Sequence, residues 1–138
     1  MAHRLSLDTT FLIDLQRERL RRKTEGPAHR FLRSSPDAEL YLSAVTLGEF
    51  AAGFAGTEHP IVRALRDSHI LLPVDAETAL LFSGIVRELR DRGESIGTND
   101  LWIGSSALRY GLPVVTADVD HFRRIEGLEV IHYRQARS

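Results

Sequence analysis

The chain has 138 residues, 43% hydrophobic and 27% charged, which predicts one soluble globular domain over residues 1–138 with room for a real core. The absence of cysteine excludes disulfide frameworks, thiolate metal sites and cysteine nucleophiles, and no apolar run approaches the roughly 20 residues that span a bilayer. The formal net charge of −1 excludes nucleic-acid binding by bulk charge alone, although residues 1–34 carry eight basic and only four acidic residues.

The predicted elements alternate strand and helix. Arg4–Asp8 reads as a strand and Phe11–Arg22 as a helix. Ala28–Ser34 is helical after a break at Gly26-Pro27, and Glu39–Leu42 is a short strand. Ser43 is placed to cap a helix through about Phe54, with Val45, Phe50 and Phe54 as core contacts. Pro60–Ser68 is helical and Ile70–Val74 a strand. Asp75 caps a longer helix through Arg92, with Ala79, Phe82, Val86 and Leu89 on one stripe and Gly93 as the stop. Another helix starts at Thr98 or Asn99 and ends at Tyr110-Gly111. Pro113–Thr116 is a strand, Val119–Arg124 a helical turn and Leu128–His132 the last strand. This alternation predicts a parallel sheet covered on both faces.

Most acidic residues have ordinary roles. Asp75 and Glu77 suit a helix start. Glu88, Asp91 and Glu94 sit among arginines on a solvated face, and Glu18, Glu58 and Asp67 read the same way. Four others have apolar or small neighbours, where an unpaired charge is costly. Asp8 ends the first strand, at the edge where open α/β sheets bind ligands, although it could equally be a helix cap. Glu49 has Val45, Thr46, Ala52 and Gly53 as helical neighbours, so no local cation explains it. Asp100 opens a helix whose Gly104 and Ala107 share its face; a first-turn acid favoured by the helix dipole is the rival account. Asp118 ends the strand Val114-Val115-Thr116, and Asp120 follows, either of them also a credible turn residue. Taken together, the four acids would meet at one sheet edge. Hard divalent cations relieve such mutual repulsion, and all-oxygen sites suit Mg²⁺ or Mn²⁺.

In Leu7-Asp8-Thr9-Thr10, Ser43–Phe50, Ile96–Ile103 and Val115–Phe122, taken in that order, the chain resembles PIN-domain ribonucleases, specifically the VapC-type toxins of type II toxin–antitoxin modules. The resemblance implies a PIN-like (Rossmann-like) three-layer α/β/α fold with a central parallel sheet of about five strands. It implies an Mg²⁺- or Mn²⁺-dependent endoribonuclease leaving a 3′-hydroxyl and a 5′-phosphate. By the same resemblance Asp8, Glu49, Asp100 and Asp118 are the catalytic and metal-holding acids. Asp8 and Asp118 would carry most of the metal binding, and Glu49 would orient water or hold a second ion. Thr116 matches a hydroxyl position, with Thr10 and Asp120 as secondary members. A VapB-like antitoxin, an RNA substrate and a homodimer are the implied partners.

Several rivals are weakened by the sequence. Lys23 is the only lysine, while phosphoacceptor receiver domains and haloacid-dehalogenase-type phosphatases need one late in the chain. The six histidines, His3, His29, His59, His69, His121 and His132, show no ligand spacing and are read as forming no site. The basic run Arg17–Lys23 could hold RNA backbone, but a solvated helix end explains it better. With no signal-peptide pattern at Met1-Ala2-His3-Arg4, a cytoplasmic location is expected. An inactive PIN domain that only binds RNA or a partner is the alternative function.

Overall fold

The computed structural model describes residues 4–135; His3 lies outside them. Five strands form one parallel sheet: β1 (Arg4–Leu7), β2 (Glu39–Ser43), β3 (Ile70–Leu72), β4 (Val114–Thr116) and β5 (Val130–His132). Their spatial order is β3-β2-β1-β4-β5, so the winding reverses between β1 and β4. Ser6 stands opposite Val114 and Leu7 opposite Val115, which brings the carboxyl ends of these two strands side by side. Ligand crevices in open α/β sheets form at such a reversal.

Between the strands run α1 (Thr9–Leu20), α2 (Pro27–Ser34), α3 (Ala44–Ala51), α4 (Pro60–Ser68), α5 (Ala76–Asp91), α6 (Thr98–Arg109) and α7 (Val119–Phe122). Strand alternation splits the core into two layers. Leu5, Leu7, Leu42 and Val115 join Phe11, Phe31 and Phe50 on one face. Tyr41, Val114 and Leu72 join Leu89, Ile103 and Phe122 on the other. The expected three-layer architecture and strand count are therefore present. No helix among the described residues is long and apolar enough to cross a membrane.

The caps follow the sequence reading. Ser43 Oγ accepts the Thr46 N–H at 3.0 Å, and Asp75 Oδ1 accepts that of Thr78 at 2.9 Å. Each such cap contributes about 1 kcal/mol. Gly93 adopts φ 68°, the left-handed geometry that stops α5.

Three expectations need correction. First, α1 begins at Thr9, two residues early, because Asp8 caps it directly. The helix after β2 ends at Ala51 rather than Phe54, and β3 stops at Leu72, before Pro73. Second, the buried stripe of α5 runs through Thr78, Ile85 and Leu89, while Ala79, Phe82 and Val86 are only partly buried. Phe82 instead stacks on Trp102 of α6, with ring centroids 3.9 Å apart.

Third, Glu18 is not a solvated acid. It is buried and accepts hydrogen bonds from the Ala28 and His29 backbone N–H groups, each at 3.0 Å. His29 Nδ1 lies 2.7 Å from the same carboxylate. The glutamate thus caps α2 from across the α1–α2 loop, a task Gly26 at the N-cap position cannot perform. A Cβ at position 26 would overlap the Glu18 side chain, so any other residue there would have to displace the carboxylate from these donors. These donors outweigh the cost of burial and hold the Glu18 pKa below the usual carboxylate value.

Candidate active site

The chain turns from β1 into α1 through Asp8, whose backbone is extended (φ −92°, ψ 174°), and whose side chain is 2% exposed. Asp8 Oδ1 accepts the Thr10 and Phe11 backbone N–H groups and the Thr10 hydroxyl, the last at 2.8 Å. Asp8 Oδ2 accepts the hydroxyl of buried Thr116 at 2.6 Å. Thr116 Oγ1 in turn accepts the Asp118 N–H at 2.8 Å, and Thr10 Oγ1 accepts that of Ala117 at 3.1 Å. Two threonines therefore lace the β1 turn to the β4 turn. Tyr133, in the one-turn 3₁₀ helix after β5, packs edge-on against Phe11. Its hydroxyl donates to Asp14 of α1 and lies 3.3 Å from the Thr10 carbonyl. This ties down the start of α1 from the far end of the chain.

The other acids come from helices. Glu49 of α3 accepts the Thr9 hydroxyl on Oε1 and Asn99 Nδ2, at 2.7 Å, on Oε2. Asp100 sits in the first turn of α6, with 26% of its side chain exposed. Asp118 is the N-cap residue of α7, yet its side chain makes no cap hydrogen bond and is 38% exposed. Gly104 gives α6 room for the segment that follows α7: a Cβ there would overlap the side-chain tip of Ile125, with Phe122 at ordinary contact distance. That packing sets Asp100 beside Asp118, as the small residues on its face suggest.

Electrostatics show that the four acids share one neighbourhood. The Asp100 pKa is raised, chiefly by burial and then by repulsion from Asp8 and Asp118, with Glu49 adding to it and His121 opposing it. Burial also raises Asp8, against the pull of its four donors. Among the described residues, no arginine or lysine forms an ion pair with any of the four. Carboxylates held together in this way are poised for a positive ligand.

Two outcomes differ from the sequence reading. His121, read as one of six scattered histidines, lies in the acidic cluster. Its Nδ1 is 2.8 Å from Asp118 Oδ2 and 3.5 Å from Asp100 Oδ2. Asp100, Asp118 and His121 each offer one ligand atom, all within 4.8 Å of one another. The i,i+3 spacing of Asp118 and His121 was the one local trace of this group, and only the fold adds Asp100 from α6. Asp120 goes the other way. It is exposed and lines an open depression with Arg92, Glu94, Arg123, Arg124 and Glu126. Thr9 and Asn99, which orient Glu49, were also missed; each directly precedes a residue that had been singled out, Thr10 and Asp100.

Comparison with known proteins places this geometry in a family. Ribonuclease VapC1 of Rickettsia felis is 27% identical over 135 residues, covering 92% of this chain and 94% of that protein. Ribonuclease VapC1 of Haemophilus influenzae strain R2866 is 29% identical over 129 residues, covering 89% and 92%. Among solved structures, VapBC-1 from nontypeable Haemophilus influenzae matches with a TM-score of 0.77 at 27% identity, covering 96% of this chain and 99% of that one. Residues 5–128 match the PIN domain family, a stretch running from β1 almost to β5, and the chain belongs to that family.

Proposed function

We propose that this protein is a metal-dependent endoribonuclease and the toxin of a type II toxin–antitoxin pair, held inactive by a VapB-like antitoxin. The observation that carries the reading is the convergence of Asp8, Glu49, Asp100 and Asp118 without a lysine or arginine partner at the sheet's reversal point. Full-length similarity to VapC ribonucleases supports it.

The residues present fit a divalent cation. The carboxylates are hard oxygen donors, and the buried Nδ1 of His121 has no hydrogen-bond partner. Asp8, Asp100 and Asp118 would hold Mg²⁺ or Mn²⁺. When bound, the ion offsets charge on the scissile phosphate and makes water more acidic. Thr10 and Thr116 fix both oxygens of Asp8, so that carboxylate is already oriented. Glu49 is oriented by Thr9 and Asn99 and keeps lone pairs free to position the attacking water or hold a second ion. Asp120 stands outside this arrangement and has no assigned step.

An antitoxin could close the pocket with an arginine, whose planar fork pairs two carboxylate oxygens at once. A homodimer and a cytoplasmic location, where the RNA substrate is, belong to the same proposal. Purified protein freed of any partner should cleave RNA with Mg²⁺ or Mn²⁺ and stop on addition of EDTA. Undiminished cleavage in excess EDTA would overturn the metal mechanism. RNA binding without cleavage under either ion would favour an inactive binding module.

A further inference from the structure

We propose that His121 is itself a metal ligand through Nδ1, so that the site takes a first-row divalent transition ion in preference to Mg²⁺. The proposal rests on the reading of the pocket as a metal centre and adds a nitrogen donor to it.

His121 is unusual in what it faces. Its ring is 42% exposed, so packing alone does not dictate its orientation. Yet Nδ1 is fully covered and lies beside two carboxylates without a well-aligned hydrogen bond to either. Asp118 Oδ2 is 2.8 Å away but off the line a ring N–H would need. The lone pair of a neutral Nδ1 follows that same line and is likewise aimed past the oxygen, as donors sharing one ion are aimed at the ion and not at each other. The spacing suits such an ion. Ligands at right angles around an ion with arms of about 2.1 Å are about 3.0 Å apart. The distances from Nδ1 to Asp118 and Asp100, 2.8 and 3.5 Å, bracket that edge.

The donor set then decides the ion. Mg²⁺ prefers oxygen and dehydrates reluctantly, whereas imidazole nitrogen suits first-row transition ions. Replacing one oxygen or water ligand by imidazole therefore tilts selectivity away from Mg²⁺. It does so without weakening the role of Asp8 or Glu49.

Mn²⁺ serves as the probe, because its unpaired electrons report nitrogen directly bound to it. The wild-type protein should bind Mn²⁺ and show ¹⁴N modulation in pulsed electron paramagnetic resonance. His121→Ala and the milder His121→Gln should lose that modulation. Both should bind Mn²⁺ more weakly, by roughly tenfold or more, with a much smaller change for Mg²⁺ by calorimetry. If one variant fails to fold, the other and the wild-type spectrum still decide. Mn²⁺ bound by wild type without nitrogen modulation, or modulation that survives in the variants, would overturn the ligand role while leaving the carboxylate centre intact. No Mn²⁺ binding at millimolar concentration would overturn both.

Discussion

Asp100→Asn is expected to reduce RNA cleavage by at least about a hundredfold and yet leave the metal-free protein as stable as wild type or more stable. Asp100 has little to lose structurally. Among the described residues its one close polar partner is His121 Nδ1, at 3.5 Å. A first-turn acid gains about 0.3–1 kcal/mol from the helix end, but burial and repulsion from Asp8, Asp118 and Glu49 act against it. Asparagine keeps the shape and removes the charge. If the folded site holds Mg²⁺ as proposed, the ion should raise the wild-type Tm more than that of the variant. If Asp100 were merely a helix-start residue, asparagine would serve as well and cleavage would survive. A fully active Asp100→Asn protein removes Asp100 from the site.

The same substitution has a pH signature in EDTA. The folded-state pKa of Asp100 is raised, so the folded protein binds that proton more tightly than the unfolded chain. Its stabilising contribution is complete below the ordinary value of 3.8 and is lost as pH rises through the raised value. Acidification from neutral pH should therefore favour wild type over the variant. Asp8 has the same sign and is present in both proteins. Glu18 and Asp75 are lowered and lose their contributions at more acid pH; half-buried His69, also lowered, is destabilising as pH falls below its ordinary 6.5. Asp118 at the start of α7, His121 within it and Glu49 of α3 complete the groups around Asp100. Melting both proteins across pH and comparing slopes cancels the shared groups. Parallel slopes would show that Asp100 carries no such strain.

Legibility in the sequence followed the range of the interactions. The β-α alternation and the caps at Ser43 and Asp75 are written in adjacent residues, and they were read correctly. Asp8 and Asp118 could be placed at the sheet edge because a parallel strand's end is a local event. Glu18 could not be read this way. Its arginine neighbours suggest a solvated face, while its partners, Ala28 and His29, return only after the chain doubles back at Gly26-Pro27. His121 was hidden for a related reason. One of its carboxylate neighbours lies one helical turn away, but the other arrives on α6, through the close contact at Gly104. Asp120 was placed near the site because it stands two residues after Asp118. In the α7 turn those two residues carry it to the exposed arginine-lined side. The α5 stripe was centred part of a turn off, since Ile85 is buried beside Leu89 while Phe82 and Val86 pack at the edge of that core and Phe82 stacks on Trp102.

Asp8→Ala should behave differently from Asp100→Asn: cleavage is lost and stability falls as well, by about 2–4 kcal/mol. The carboxylate caps α1 through the Thr10 and Phe11 N–H groups and takes the buried Thr116 hydroxyl from β4. Alanine leaves the two N–H groups without their acceptor at a buried helix start. The hydroxyls of Thr10 and Thr116 lie 3.4 Å apart and can turn toward each other, which recovers part of the loss. Relief of a buried charge recovers some more, since burial raises the Asp8 pKa. The backbone donors have no such remedy. Asp8→Asn separates the roles. Its carbonyl oxygen can cap the helix nearly as well as aspartate, so most of the stability should return. Its amide cannot supply the anionic oxygen that a cation needs, so cleavage should stay lost. Denaturant unfolding of both variants without metal, beside the RNA assay, tests the pair. Wild-type cleavage in Asp8→Asn would reduce Asp8 to a helix cap. Equal stability of Asp8→Ala and wild type would mean that the threonine lacing does not hold the β1 and β4 turns together.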